Sequence, residues 1–122
     1  MAACNKRYLG TLGIAAAAGK TVAGTPRVCE ALKNGKAFLV VEAEGNSEGT
    51  RKRLSDRCAF YRIRLIESDA GKDELGRAVG RPEGVAAVAV CDRGLAGAVA
   101  EGWDRPEKSR GPKGGKTGAR EI

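Results

Sequence analysis

Two short, uninterrupted aliphatic runs limit the folds that this chain can adopt. One is Ala37 to Val41, with the sequence AFLVV, and the other is Val85 to Cys91, with the sequence VAAVAVC. Each is bounded by turn residues and is too short for a typical buried helix, so each is predicted to be a strand covered on both faces. Only 4% of the residues are aromatic, so aliphatic side chains must build the core between this sheet and its covering helices.

Segments with the helical spacing of apolar residues surround these strands. Tyr8 and Leu12 begin the first, and Thr25 followed by Pro26 is a typical helix start. The predicted helices cover residues 8–18, 26–34, about 51–61, 72–79 and a last one from 95, and a further strand covers residues 62–66. This alternation predicts an α/β fold in which helical layers enclose a sheet.

The residue types needed for most catalysis and metal binding are missing or scattered. The chain has no histidine, which removes the usual proton-transfer residue and the common Ser-His and Cys-His nucleophile systems. No Cys-x-x-Cys pair is present, which argues against a zinc site. The cysteines occur singly, at Cys4, Cys29, Cys58 and Cys91. We therefore predict no enzymatic activity, no metal, no cofactor and no small-molecule substrate.

The charge favours a polyanionic partner. There are 22 basic and 15 acidic residues, a formal net charge of +7, which is typical of proteins that bind RNA, DNA or anionic surfaces. Neither a signal peptide nor a bilayer-spanning apolar run is apparent, so a cytoplasmic location without membrane association is expected. Residues 104–122 are rich in Gly, Pro and charge, with six basic and three acidic residues, and are predicted to be a disordered basic tail.

Two local motifs have competing interpretations. The segment Gly13 to Thr21, GIAAAAGKT, is similar to a phosphate-binding loop, but it has one residue too many and follows a helix instead of opening one. Nucleotide hydrolysis is therefore not predicted. The triplet Arg51-Lys52-Arg53 is interpreted either as a solvated helix face or as a set of phosphate contacts without sequence selectivity.

Several segments together resemble the kink-turn-binding ribosomal proteins, and in particular their bacterial YlxQ-like branch. The resemblance is carried by residues 9–24, 24–44, 51–63 and 74–99 in the same order, and Leu75-Gly76-x-Ala78-x-Gly80 is a fairly specific part of it. It implies a three-layer α/β/α sandwich around a small mixed sheet of about four strands. It also implies a non-enzymatic RNA-binding domain over residues 1–103, with a structured, possibly ribosomal, RNA as partner.

The resemblance implies two RNA-binding elements. They are the start of the second helix, residues 24–33, and the loop before the last strand of the sheet, residues 81–87. Free amides at a helix start can bind phosphate, and side chains of the first turns can reach base edges. The residues implicated are Gly24, Thr25, Pro26, Arg27, Glu30, Lys33, Arg81, Val85, Ala86 and Ala87.

The sequence departs from the family at the helix start. Kink-turn readers of the family carry Gly-Thr-Asn-Glu-x-x-Lys, whereas Pro26, Arg27 and Glu30 replace the Asn, the Glu and the Lys here. Kink-turn selectivity therefore stays open, as do the identity of the RNA, stable association with the ribosome and the oligomeric state. Two alternatives also remain: a protein-interaction module on the same fold, and the substrate-binding half of an RNA-modifying enzyme whose catalytic half is on another chain.

Overall fold

The computed structural model describes residues 7–104, which form helices and strands in alternation. Along the chain the elements are α1 (Arg7–Ala17), β1 (Thr21–Ala23), α2 (Thr25–Lys33), β2 (Leu39–Glu44), α3 (Glu48–Tyr61), β3 (Leu65–Gly71), α4 (Lys72–Ala78), β4 (Ala87–Val90) and α5 (Arg93–Asp104). The predicted α/β class is confirmed.

The four strands form one mixed sheet in the order β1-β4-β2-β3. Strands β2 and β3 are parallel, with Val40 opposite Leu65, whereas β4 is antiparallel to both of its neighbours. The parallel pair requires a crossover connection, which α3 supplies. Because β4 is adjacent and antiparallel to β2, the first residue of β4, Ala87, lies opposite Glu42 near the end of β2.

Helices cover both faces of the sheet, as the resemblance implied. Leu12 of α1, Leu75 of α4 and Val99 of α5 pack into a core on one face, and all three are fully buried. Val28 of α2 and Leu54 of α3 pack into a second core on the opposite face, also fully buried. Alternation along β2 sends its successive side chains into the two cores in turn. The result is a three-layer α/β/α sandwich.

The strand boundaries differ from those predicted. Strand β1, residues 21–23, was not predicted, because three residues carry too little pattern to be recognised. Arg62 adopts a left-handed backbone conformation, with φ 60°, that ends α3, and the Ile63 N–H donates to Cys58 O at 2.9 Å. Residues 62–64 therefore belong to a helix cap, and β3 begins only at Leu65. Strand β2 extends beyond Val41 to Glu44, and β4 is shorter than the predicted 85–91.

The last helix, α5, reaches the first residue of the predicted tail. Asp104 is the last residue of α5, and its carboxylate accepts two hydrogen bonds from the Arg64 guanidinium, at 2.7 and 2.9 Å. This bidentate ion pair attaches the end of α5 to the segment that precedes β3. The rest of the predicted tail, residues 105–122, lies outside the described residues.

Candidate functional site

The start of α2 and the loop before β4 are in contact in the structure, although the bonded residues Gly24 and Ala87 are 63 positions apart in sequence. The Gly24 N–H donates to Ala87 O at 2.9 Å, so the residue that precedes α2 is bonded to the first residue of β4. Gly24 has φ 98°, a conformation that side-chain-bearing residues rarely adopt, which explains a glycine at this position. The ends of the two elements that the resemblance implied are therefore adjacent.

Gly24, and not Thr25, is the N-cap of α2. No side chain caps this helix, and Pro26 occupies its first turn without a backbone N–H. Within residues 7–104, the N–H groups of Thr25 and Arg27 have no acceptor, whereas Val28 N–H donates to Gly24 O. Two amides at the positive end of the helix dipole are thus available to an external anion.

The charged side chains of α2 are all solvent-exposed. Arg27, Glu30 and Lys33 lie on the outer side of the helix, opposite the buried Val28 and Leu32. Beside them is a shallow groove of about 320 Å³. Its lining residues are Val22, Arg27, Glu30, Ala31, Asn34, Lys36 and Cys91. The groove combines basic side chains with one carboxylate, Glu30, which opposes the binding of phosphate.

The loop before β4 is held by backbone hydrogen bonds. Arg81 N–H donates to Gly76 O at 2.6 Å, and Val85 N–H donates to Lys72 O at 3.1 Å. Val85 is buried in the core, Ala87 is fully buried and Ala86 is partly exposed. The aliphatic part of this element thus anchors the loop, and Arg81 and Ala86 are the implicated residues with solvent-accessible surface.

A polar pocket that sequence reasoning missed adjoins this surface. It has a volume of about 330 Å³ and lies between the ends of β2 and β3 and the first turns of α3, with Glu42, Asn46 and Arg51 among its lining residues. Glu42 is 2% exposed, and its Oε2 lies 3.9 Å from Arg51 Nε but has no hydrogen-bond partner within the described residues. Glu42 directly follows the apolar run Ala37 to Val41, so the strand was predicted to end before it.

Burial raises the pKa of the Glu42 carboxyl. The nearby amide of Asn46 and the charge of Arg51 lower it, whereas the carboxylate of Glu67 raises it further. The net direction is upward, so the folded state favours the protonated form more than the unfolded state does. Stability gained from protonation is therefore present at low pH and is lost as the pH rises through the folded-state pKa.

We expect Glu42→Gln to raise the free energy of unfolding at pH 7 by about 1 kcal/mol, because the amide removes a buried charge and can donate a hydrogen bond. The advantage should shrink as the pH falls through the pKa of Glu42, which then becomes neutral in the parent. Urea unfolding of both proteins at several pH values between 4 and 8, the range about the glutamate pKa, measures this. Glu44→Gln, at an exposed position of the same strand, is the matched control and should change stability little. A destabilised Glu42→Gln variant at pH 7 would show that the pair with Arg51 outweighs the burial of the charge.

Two thiols, those of Cys58 and Cys91, are poor nucleophiles. Burial raises the pKa of Cys58 to about 11 and also raises that of Cys91, so both are protonated at neutral pH.

Among residues 7–104, no group of three or more His, Cys, Asp or Glu side chains is arranged to hold a metal ion. The segment 13–21 runs from α1 through a turn into β1, so it does not open a helix as a phosphate-binding loop does. No helix in the described part of the chain is long and apolar enough to span a bilayer.

Comparison with known proteins gives a consistent set of relatives. The sequence pattern of the ribosomal protein L7Ae/L30e/S12e/Gadd45 family matches residues 6–99. The RNA-binding protein YlxQ of Bacillus subtilis (strain 168) is 38% identical over 87 residues, which cover 70% of this chain and 83% of the relative. The RNA-binding protein YlxQ of Enterococcus faecium is 29% identical over 93 residues, which cover 75% of this chain and 85% of the relative.

Two solved structures share the fold. A protein of unknown function from Bacillus halodurans superposes with a TM-score of 0.76 at 30% identity, covering 81% of this chain and 98% of that one. The Giardia lamblia 15.5kD RNA binding protein superposes with a TM-score of 0.66 at 21% identity, covering 82% of this chain and 84% of that one. The second likeness is one of fold alone.

Proposed function

The chain belongs to the ribosomal protein L7Ae/L30e/S12e/Gadd45 family, and on this premise we propose that it is a non-enzymatic RNA-binding protein. The two bacterial relatives that it matches in sequence are RNA-binding proteins by name. The observation that supports the start of α2 and the loop before β4 as the RNA-binding surface is the hydrogen bond from Gly24 N–H to Ala87 O. It joins the start of α2 to the loop before β4, so one RNA can contact both.

The chemistry of this surface suits phosphate more than base edges. Arg27 and Lys33 are exposed cations, and the free N–H groups of Thr25 and Arg27 add the positive end of the helix dipole. Pro26 has no hydrogen-bonding side chain, so it cannot read a base as a polar residue in its place would. We propose that binding is driven by phosphate contacts and that selectivity for kink turns is weak because of Pro26, Arg27 and Glu30.

The finer aspects of the proposal concern partner and location. A structured RNA is the proposed ligand, with ribosomal RNA as the first class to test, and the cytoplasm is the proposed location. The chain carries six basic and two acidic residues beyond Asp104, and their charge would add attraction that falls as salt rises. A protein-interaction module on the same fold is the competing function, and no observation on the described surface favours it.

We expect charge changes on α2 to shift RNA affinity in opposite directions. Arg27→Glu should weaken binding, and Glu30→Lys should strengthen it or restore a preference for kink turns, each by about 1 kcal/mol at a solvated site. The measurement is a titration of a labelled kink-turn RNA and of an unkinked duplex of equal length. Both residues are exposed and distant from the core, so the melting temperature should hardly change.

Arg7→Glu is the matched control, because Arg7 is exposed on α1 in the opposite helical layer. It makes the same charge change as Arg27→Glu and should leave affinity close to that of the parent. Should both α2 variants bind both RNAs as the parent does while melting normally, α2 is not the RNA-binding surface. The protein-interaction alternative would then be preferred.

A further inference from the structure

The outer face of α3 carries an exposed aromatic ring between arginines. Arg53, Arg57 and Phe60 follow the i, i+4, i+7 spacing that places side chains on one stripe of a helix, and all three are exposed, whereas Leu54 and Cys58 of the same helix are buried. The Phe60 side chain is 77% exposed, the highest value among the large hydrophobic residues of the described region. Most of this ring therefore lies outside the core.

Within residues 7–104 the arginines of this stripe form no ion pair, unlike Arg51, Lys52 and Arg64. Residues 48–64 contain six basic and two acidic side chains, a net charge of +4. Three of the six are paired: Arg51 with Glu42 and Glu67, Lys52 with Asp56, and Arg64 with Asp104. Within residues 7–104, Arg53, Arg57 and Arg62 have no acidic partner. Two of these three cations, Arg53 and Arg57, lie on the same stripe as Phe60.

The ring of Phe60 is supported on one side only. It makes an edge contact with Tyr61, with ring centroids 4.8 Å apart and an interplanar angle of 87°. This contact limits the orientations of the ring while most of its surface stays open to solvent. An aromatic ring held in this way, with cations along the same helix, is the combination that binds single-stranded nucleic acid.

We propose that Arg53, Arg57 and Phe60 form a second RNA-binding surface, here called the α3 stripe. It binds a single-stranded segment of RNA, with one base stacked on Phe60 and the phosphates neutralised by the arginines. It shares no residue with the surface formed by α2 and the loop before β4, and it rests on the proposed function only in that both bind RNA. Charge complementarity favours RNA as the partner, because residues 48–64 carry a net charge of +4 and the two arginines of the stripe have no acidic partner within residues 7–104.

The test uses the full chain and a short fluorescein-labelled oligouridylate. Phe60→Ala should weaken binding about tenfold, the usual effect of losing one stacked base. The double variant Arg53→Ala/Arg57→Ala should lower the slope of log affinity against log salt by about 1.4, because a single strand contributes about 0.7 for each phosphate contact. Ile14→Ala is the matched control, since Ile14 is 63% exposed on α1 in the opposite helical layer.

A second measurement reports the stacking directly. Phe60→Trp should keep the affinity, and the added oligouridylate should quench its indole fluorescence, whereas Ile14→Trp should show no more quenching than the parent with its single Trp103. Unchanged affinity and salt slope in the α3 variants would overturn the α3 stripe, as would a parent that binds no single strand. If the α3 variants bind as the parent does but Arg27→Glu loses kink-turn binding, the α3 stripe is wrong and the proposed function still holds. Failure of the α3 stripe is therefore distinguishable from failure of the proposed function.

Discussion

Gly76→Ala is expected to lower the free energy of unfolding by about 3 kcal/mol, since the added methyl group has no room and its neighbours are backbone atoms. A Cβ at this position would lie 2.3 Å from Arg81 O and 2.8 Å from Gly84 Cα. Gly76 is buried in α4, and its carbonyl accepts the Arg81 N–H at 2.6 Å, so helix and loop cannot separate without losing this bond. The change should displace the loop before β4.

Urea unfolding measures the loss of unfolding free energy in Gly76→Ala. Titration with RNA reports the displacement of the loop before β4, because Arg81 and Ala86 belong to the proposed RNA-binding surface. Gly10→Ala is the matched control. It makes the same substitution inside α1, where a Cβ meets nothing within 4 Å, and should raise stability by about 0.5–1 kcal/mol through helix propensity. A Gly76→Ala variant as stable as the parent would show that the loop can move away from α4 at no cost.

Much of the fold could be predicted because its core elements are regular. The runs that became β2 and β4 are continuous and aliphatic, and the stripe formed by Val28 and Leu32 marks α2, so periodicity was sufficient for these. The resemblance singled out the motif around Gly76 without a structural reason for it. The structure gives that motif its physical reason, which is the contact between Gly76 and the Arg81 carbonyl.

What could not be predicted depends on contacts between distant residues. Strand β1 exists because residues 21–23 pair with β4, and so short a strand has no periodicity of its own. Thr25 has a typical capping side chain, but the positive φ of Gly24 places the cap one residue earlier. The polar pocket was missed because Glu42 is a charged residue inside a buried strand, and only the neighbouring Asn46 and Arg51 explain how it is tolerated there.

The proposed RNA-binding surface depends on a side chain that makes no predicted contact with RNA. Asn46, in the turn between β2 and α3, is 8% exposed. Its Nδ2 donates to Ala43 O at 3.2 Å and to Ala86 O at 3.0 Å, so one amide joins the end of β2 to the loop before β4. Ala86 O also accepts the Ala43 N–H at 2.8 Å. Asn46 is therefore positioned to fix Ala86 relative to the sheet.

We expect Asn46→Ala to cost about 2 kcal/mol of unfolding free energy, because it removes two buried hydrogen bonds and leaves the Ala43 carbonyl without that donor. Asn46→Asp should cost more at pH 7, since a carboxylate of the same shape faces two carbonyl oxygens, and the difference between the two variants should narrow at acidic pH as the new carboxyl group becomes a donor. Chemical unfolding at pH 7 and pH 4, on either side of a raised carboxyl pKa, measures both effects.

Asn34→Ala, at the exposed C-cap of α2, is the control and should change stability by a few tenths of a kcal/mol. Equal stability of the Asp variant and the parent at pH 7 would contradict the assignment of Nδ2 as the donor to Ala86 O and, with it, the role of Asn46 in holding the loop.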